Sequence, residues 1–200
     1  MTSTPDLGAL REAIACGDPG RSMPALAALR EVSAEQATPL LLLGLEQEAF
    51  LVRSLSCAGL GVKRSEAGWQ ALVAALEHDA DANVRAEAAN ALVSYGVERA
   101  WSHLLAAFRR DNHWLLRCSV LAGVAEHAEA EPERLLELAR LALADADGTV
   151  RVGGAEILVR LIHEAGVEPE LAAMARAELQ GVQRDPDHRV VAAALDGLAG

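Results

Sequence analysis

Residues 79 to 92 read Asp-Ala-Asp-Ala-Asn-Val-Arg-Ala-Glu-Ala-Ala-Asn-Ala-Leu, and the chain returns to this order of residue types along its length. Acidic turn residues come first, then an apolar residue followed by Arg, then a small-residue helix that ends in Leu. The order recurs from Asp111 to Val124, from Asp145 to Leu158 and from Asp185 to Leu198, with a weaker copy from Gln47 to Leu60. Self-similarity at a period of this size marks stacked supersecondary units, each too small to bury its own apolar face. Function in such a chain belongs to a shared surface and not to one enclosed pocket.

Composition agrees with helices throughout. Of the 200 residues 52% are hydrophobic and only 3% aromatic, Ala and Leu abound, and no β-branched run is bounded by turn signals. An all-α fold without a sheet is expected. With no long polar or Gly/Ser-rich linker, the chain is expected to form a single domain over residues 1–200.

Taken in order, Asp6 to Cys16 carries a buried stripe at Leu7, Leu10 and Ile14, and Gly17 to Gly20 stops that helix. Met23 to Val32 is expected to be the second helix, with Pro24 in its first turn. Residues 1–34 thus make a degenerate capping repeat, and residues 38–200 hold five clearer ones. Thr38-Pro39 is expected to open a helix to about Gln47, and Phe50 to start its partner, which ends near Gly59 to Gly61. Ser65 to His78 and Val97 to Arg109 repeat one stripe, as Trp69, Leu72, Val73, Leu76 and Trp101, Leu104, Leu105, Phe108. Val84 to Tyr95 and Leu115 to His127 are their returning helices. Pro132 and Pro169 sit in the first turns of the last two outgoing helices, answered by Val150 to Glu164 and Val190 to Leu198. The apolar residue that opens each returning helix falls at Met23, Val52, Val84, Leu116, Val150 and Val190, spaced by 29, 32, 32, 34 and 40 residues. Six helix pairs are therefore expected.

A short acidic turn followed by Val-Arg and an Ala-rich helix resembles the HEAT repeat. The Asp-x-Asp-x-x-Val-Arg form at Asp79 to Arg85 and Asp145 to Arg151 is most similar to the HEAT-like repeats named after the phycobilisome lyases. The resemblance covers roughly residues 38 to 200 and implies a right-handed α-solenoid, a HEAT-like superhelix. It does not fix a function, because such repeats occur in lyase subunits, degradation adaptors, assembly factors and general scaffolds.

The motif also has a direct physical reading. Asp81, Asp147 and Asp187 are placed to cap the free amides that open the returning helices. Arg53, Arg85, Arg117 and Arg151 share one register and can hydrogen-bond the acidic turn of an adjacent repeat, giving a structural ladder. In the last repeat Val191 stands where the Arg would be.

A formal net charge of −11 opposes binding to phosphate backbones and to anionic membranes, and the seventeen arginines are dispersed along the chain beside one lysine, Lys63. HEAT-like DNA glycosylases rely on a basic groove, so that activity is disfavoured. The three cysteines, Cys16, Cys57 and Cys118, are widely separated, form no Cys-x-x-Cys, and read as small core hydrophobes in a reducing compartment. Met1 to Gly20 has no basic start or long apolar run, so no signal peptide is expected, and Pro39 to Leu45 is too short to cross a bilayer. A cytoplasmic location is expected.

Trp69 and Trp101 read as core residues of outgoing helices. Phe50 and Trp114 differ, because each lies two residues before its apolar-Arg position, inside a turn where Ala82, Gly148 and His188 stand in other repeats. Two repeats apart, roughly 20 Å at one helix-packing distance per repeat, they could anchor one elongated partner, or each ring could fold back over its own helix ends. Glu77-His78, Glu126-His127 and His163-Glu164 invite comparison with deoxyhypusine hydroxylases, a HEAT family holding two irons with four His-Glu pairs in corresponding repeat positions. Here only one pair has that order, the three share no register, and no metal site is assigned. No Ser-His-Asp set or phosphate loop is visible, so no catalytic residue and no cofactor is assigned.

If the returning helices line the inner surface, as the resemblance implies, Leu55, Glu87, Ser119 and Gly153 fall on it, with Ala58, Asn90, Ala122 and Glu156 two turns in. That surface is small and polar with acidic spots from Glu87 onward, and more apolar at Leu55 and Ala58. Glu87, Asn90, Ser119 and Glu156 therefore join Phe50 and Trp114 as partner-binding candidates, against the alternative of a merely solvated face. The expected function is a non-catalytic adaptor or assembly factor that docks a protein on its concave face or turn edge, with phycobilisome or photosynthetic assembly as the implied setting. The alternative is a subunit or chaperone of a bilin lyase that attaches a linear tetrapyrrole to a phycobiliprotein cysteine, paired with a second HEAT-like chain.

Overall fold

A helix leaves its first amides without intrahelical partners, and this chain supplies side chains for them. In the computed structural model, which describes residues 6–127 and 129–200, eight helices carry a side-chain N-cap: Asp6, Asp18, Ser33, Ser65, Asp81, His113, Asp147 and Asp187. Each such cap contributes about 1 kcal/mol. The first five residues of the stretch inspected for a leader, and Ala128, lie outside the described residues.

Among the described residues there are twelve α-helices and no strand. They fall into two compact units, Met1–Asp111 and Asn112–Gly200. The first contains α1 (Leu7–Ala15), α2 (Pro19–Ala28, continued by a 3₁₀ turn), α3 (Ala34–Leu45), α4 (Phe50–Lys63), α5 (Glu66–His78), α6 (Ala82–Val93) and α7 (Val97–Arg110). The second contains α8 (Trp114–Ala125), α9 (Pro132–Leu143), α10 (Gly148–His163), α11 (Pro169–Gly181) and α12 (His188–Ala199). In the first unit α1, α3, α5 and α7 pack in succession as one layer, and α2, α4 and α6 as the other. In the second, α9 packs on α11, while α10 packs on both α8 and α12. Each unit is thus two layers of helices, the arrangement of an α-solenoid.

The core is the periodic apolar set. Leu72, Leu76, Val84, Ala88, Ala89, Leu92 and Leu104 are fully buried in the first unit, and Leu116, Leu135, Val150, Leu158 and Ala175 in the second. Trp69 and Trp101 are core residues, as their stripe predicts. Trp69 meets Tyr95 edge-on at 5.5 Å, and Arg99 lies over its face at 4.0 Å.

The returning helices α6, α8, α10 and α12 start one or two residues earlier than the sequence reading places them, and two other helices start four residues earlier. The second begins at Pro19, not Met23, because Asp18 caps it and Pro19 takes the first helical position. The third begins at Ala34, not Thr38, because Ser33 and Gln36 form a capping box, with Ser33 Oγ accepting from the Gln36 amide at 3.4 Å. Pro24 and Pro39 therefore lie inside helices, where each lacks the N–H that would reach the carbonyl four residues back.

A rail of donors closes the far ends of the inner-layer helices, where the last carbonyls have no intrahelical partner. Lys63 Nζ donates to Arg30 O at 2.9 Å and Val32 O at 2.6 Å. Ser94 Oγ reaches Gly61 O at 2.8 Å and Tyr95 Oη reaches Leu60 O at 2.9 Å. In the second unit Arg160 does the same for Ala125 O at 2.7 Å and His127 O at 3.1 Å. The lone lysine of the sequence is thus a helix-end clamp.

Candidate functional site: the inner helix face and its turn edge

The turn edge is built on arginine. Arg53 donates through Nε and Nη2 to the two oxygens of Asp79, at 2.8 and 3.0 Å, while its Nη1 reaches Gln47 O and Glu48 O. Arg85 repeats this on Asp111 with Asp79 O and Ala80 O, and Arg151 on Asp185 with Asp145 O and Ala146 O. Each guanidinium ties the carbonyls of its own turn to the carboxylate of the next, using the planar fork that lysine lacks. Arg117 departs from the pattern. It meets Asp145 through Nη1, at 3.0 Å, and donates from Nη2 to Asn112 O at 3.3 Å, while its buried Nε has no hydrogen-bond partner.

Asp81 and Asp147, counted with the ladder on sequence, occupy the next place in each turn. Asp81 caps α6 by accepting from the Asn83 amide at 2.8 Å, and Asp147 caps α10 through the Thr149 amide at 2.7 Å. The carboxylates facing the arginines are Asp79, Asp111, Asp145 and Asp185. Their signal in the sequence is an Asp six residues before each of Arg85, Arg117 and Arg151, with one more at Asp185.

Asp81, Asp147 and Asp185 make the fold acid-sensitive. The Arg151 fork holds Asp185 below the usual carboxylate range, the Thr149 amide does so for Asp147, and the Asn83 side chain for Asp81. A depressed folded pKa contributes stability that is fully present above the ordinary value near 4 and is lost as pH falls through the folded one. The urea midpoint of the protein should therefore drop below about pH 4. Asp185→Asn should lower the midpoint at pH 7 and narrow the difference between pH 7 and pH 3. An unchanged difference would contradict the assignment.

Inside the first unit the returning helices α2, α4 and α6 border two adjoining hollows. One, of about 260 Å³, lies between α2 and α4 and is lined by Leu26, Leu41, Leu55, Ala58 and Val62, with Arg30 and Lys63 at its end. The other, between α4 and α6, is open and lined by Ala58, Gly61, Val62, Arg64, Glu87 and Asn90. Val62 stands on the ridge between them, 69% exposed. Sequence reading missed it because Gly59 to Gly61 were taken as the helix end. The helix instead runs to Lys63 and is closed by Arg64 in the left-handed conformation, φ 43°. Gly61 is a packing residue, since a Cβ there would stand 3.0 Å from Ala91 Cα.

The other candidates are dispersed. Glu87 is half-buried and Asn90 exposed, on α6. Ser119 is half-buried on α8 and Glu156 exposed on α10, where it lines a separate open hollow with Val159, His163 and Asp196. Phe50 is 38% exposed at the start of α4, beside exposed Leu51, in the first unit. Trp114 is 44% exposed in the second, with its ring stacked on His113 at 6.0 Å.

Cys57 is buried, and burial pushes its thiol up to about 12, with Glu87 and Asp79 adding to the effect. Cys118 is half-buried and raised for the same reason. Cys16 is exposed, not a core hydrophobe, because it follows the last turn of α1. His163 Nε2 lies 2.8 Å from Gly197 O, and His127 Nδ1 lies 3.2 Å from Glu129. Among the described residues no three His, Cys, Asp or Glu side chains group to hold a metal, and no helix is long and apolar enough to cross a membrane.

A family model of HEAT repeats matches residues 38–125. No curated protein matches the sequence. Among solved structures, human deoxyhypusine hydroxylase in complex with glycerol is similar, with a TM-score of 0.52 and 14% identity over 96% of both chains. At that identity the likeness is one of fold. The phycobilisome-lyase form of the repeat is not what the family model distinguishes, whereas the HEAT repeat itself is.

Proposed function

We propose that this chain is a non-catalytic scaffold that docks a protein partner on its inner helix face, as an adaptor or assembly factor. The observation that carries this reading is the paired hollow on α2, α4 and α6, with Val62 exposed on its ridge. The apolar hollow, about 260 Å³, and the open one beside it, about 490 Å³, offer seats for side chains of a partner. The charge of −11 favours a basic or polar protein. Phe50 offers a further contact on the first unit and Trp114 one on the second, with Glu87 and Asn90 as polar contacts on the first and Ser119 and Glu156 on the second.

A phycobiliprotein, or a second HEAT-like chain, is the client that the repeat resemblance implies. The same resemblance supplies the bilin-lyase alternative. The scaffold reading is preferred because it needs only the surface hollows and exposed side chains of the first unit, whereas the lyase reading rests on the resemblance alone.

The test is affinity purification of the tagged full chain from its native extract, with mass spectrometry and an absorption spectrum of the eluate. A stoichiometric, colourless partner that is lost with Val62→Asp but kept by an equally helical surface variant supports the scaffold. Loss with Phe50→Ala and Trp114→Ala in place of Val62→Asp moves the contact to the turn edge. Visible bilin absorbance with phycobiliprotein subunits turns the reading to the lyase, and an empty eluate overturns the scaffold.

A further inference from the structure

Glu87 is not accounted for by the packing of its own repeat. It is half-buried on α6, and among the described residues its side chain makes no hydrogen bond or ion pair. Neighbouring acids of the same unit are all engaged: Asp79 by Arg53, Asp81 by the Asn83 amide, Asp111 by Arg85. Partial burial raises the Glu87 pKa, and no cation is bonded to the carboxylate to offset it. A Gln or Ala would fit the same helix position at no such cost. Glu87 and Asn90 also line the hollow that continues, through Ala58 and Val62, into the apolar hollow at Leu26 and Leu55. A half-buried, unpaired anion beside an apolar seat fits a ligand that brings both a cation and a bulky apolar group.

We infer that this groove receives an amphipathic helix of the partner protein, with a bulky apolar side chain seated among Leu26, Leu55 and Val62 and an Arg or Lys one helical turn away set against Glu87 and Asn90. The inference rests on the scaffold reading above and names the chemistry of its partner. A helix fits because the groove runs between helix ridges, and apolar anchors one turn apart are how helices are read in such grooves. Arg64, at the C-terminal end of α4, lines the same hollow and Arg30 the apolar one, so a basic contact falls at Glu87, the one carboxylate among the lining residues. Lys63 is held by two carbonyls.

The probe is a displayed library of helical peptides with randomised surface positions, selected on the immobilised full chain. Wild type should enrich peptides that pair Leu, Ile, Met or Phe with Arg or Lys three or four residues away. A selected peptide should bind Glu87→Gln about tenfold more weakly and Val62→Asp at least a hundredfold more weakly. Selection on Glu87→Arg should turn the basic position acidic. The Glu87→Gln protein should be at least as stable as wild type at pH 7, which separates lost recognition from lost fold. The inference is overturned if Glu87→Arg selects the same peptides as wild type, if enriched peptides carry no basic residue, or if wild type sediments as a dimer that Val62→Asp dissociates. A native partner retained at full strength by Glu87→Arg and Val62→Asp sinks the groove assignment alone. Failure of wild type to capture any partner sinks the scaffold reading beneath it.

Discussion

Arg85→Ala should destabilise the first unit by about 2 to 4 kcal/mol, one of the largest effects available to a single polar substitution in this chain. Breaking a buried pair by removing one partner costs about 3 to 5 kcal/mol, because the remaining charge stays desolvated. Here the side chains of Arg85 and Asp111 are 18% and 11% exposed, which moderates that figure. The substitution takes from the Asp111 carboxylate both bonds of the fork, given by Nε and Nη2, and takes the Nη1 donor from two turn carbonyls, Asp79 O and Ala80 O. Arg85→Lys should recover only a small part, since an ammonium cannot serve a bidentate carboxylate and two carbonyls from one fixed plane. Arg117→Ala should cost distinctly less, because Arg117 already leaves its Nε unsatisfied and meets Asp145 through one nitrogen. Equilibrium urea unfolding with hydrogen exchange over α5 to α7 measures both. Equal losses at Arg85 and Arg117 would refute the role given to the bidentate fork.

That contrast marks where the sequence stops being legible. The Val-Arg register identifies all four arginines, and the repeat spacing places the helices that carry them, because periodicity and capping are local properties of the chain. Which carboxylate each arginine meets is not local. The partner of Arg53 lies 26 residues on and that of Arg151 lies 34 residues on, and only the packed loops decide between the first and second Asp of a turn. The helix starts at Pro19 and Ala34 were in the sequence, as Asp18-Pro19 and Ser33-x-x-Gln36, but prolines at 24 and 39 drew the boundaries four residues late. Val62 was hidden by the same kind of punctuation error, with Gly59 and Gly61 taken as an end signal when close packing is what they serve. On the candidate site, the residue types at 55, 58, 87 and 90 followed from repeat register. Depth and neighbours did not, since a hollow depends on which side chains of three helices leave space between them.

Gly153 and Gly154 carry the same lesson to an expected result, because adjacent glycines inside one helix should respond in opposite directions. Each costs about 1 kcal/mol relative to Ala by helix propensity alone, so both look like improvable positions. A Cβ at Gly153 would stand 2.9 Å from Leu121 Cδ1, the far end of a side chain that can turn aside. A Cβ at Gly154 would stand 2.8 Å from Ala142 Cβ, 3.1 Å from Ala139 O and 3.2 Å from Leu143 N, which are atoms of the α9 backbone or fixed to it. Gly153→Ala should therefore be neutral or stabilise the second unit by up to about 1 kcal/mol. Gly154→Ala should destabilise it by about 1 to 2 kcal/mol, and Gly154→Leu by about 3 kcal/mol or more, because α10 must move off α9. Urea midpoints, with hydrogen exchange over α9 and α10, distinguish the two sites. If Gly154→Ala stabilises as much as Gly153→Ala, the glycine pair is not there to let α9 and α10 approach, and the close contact between those helices has to be explained by other residues.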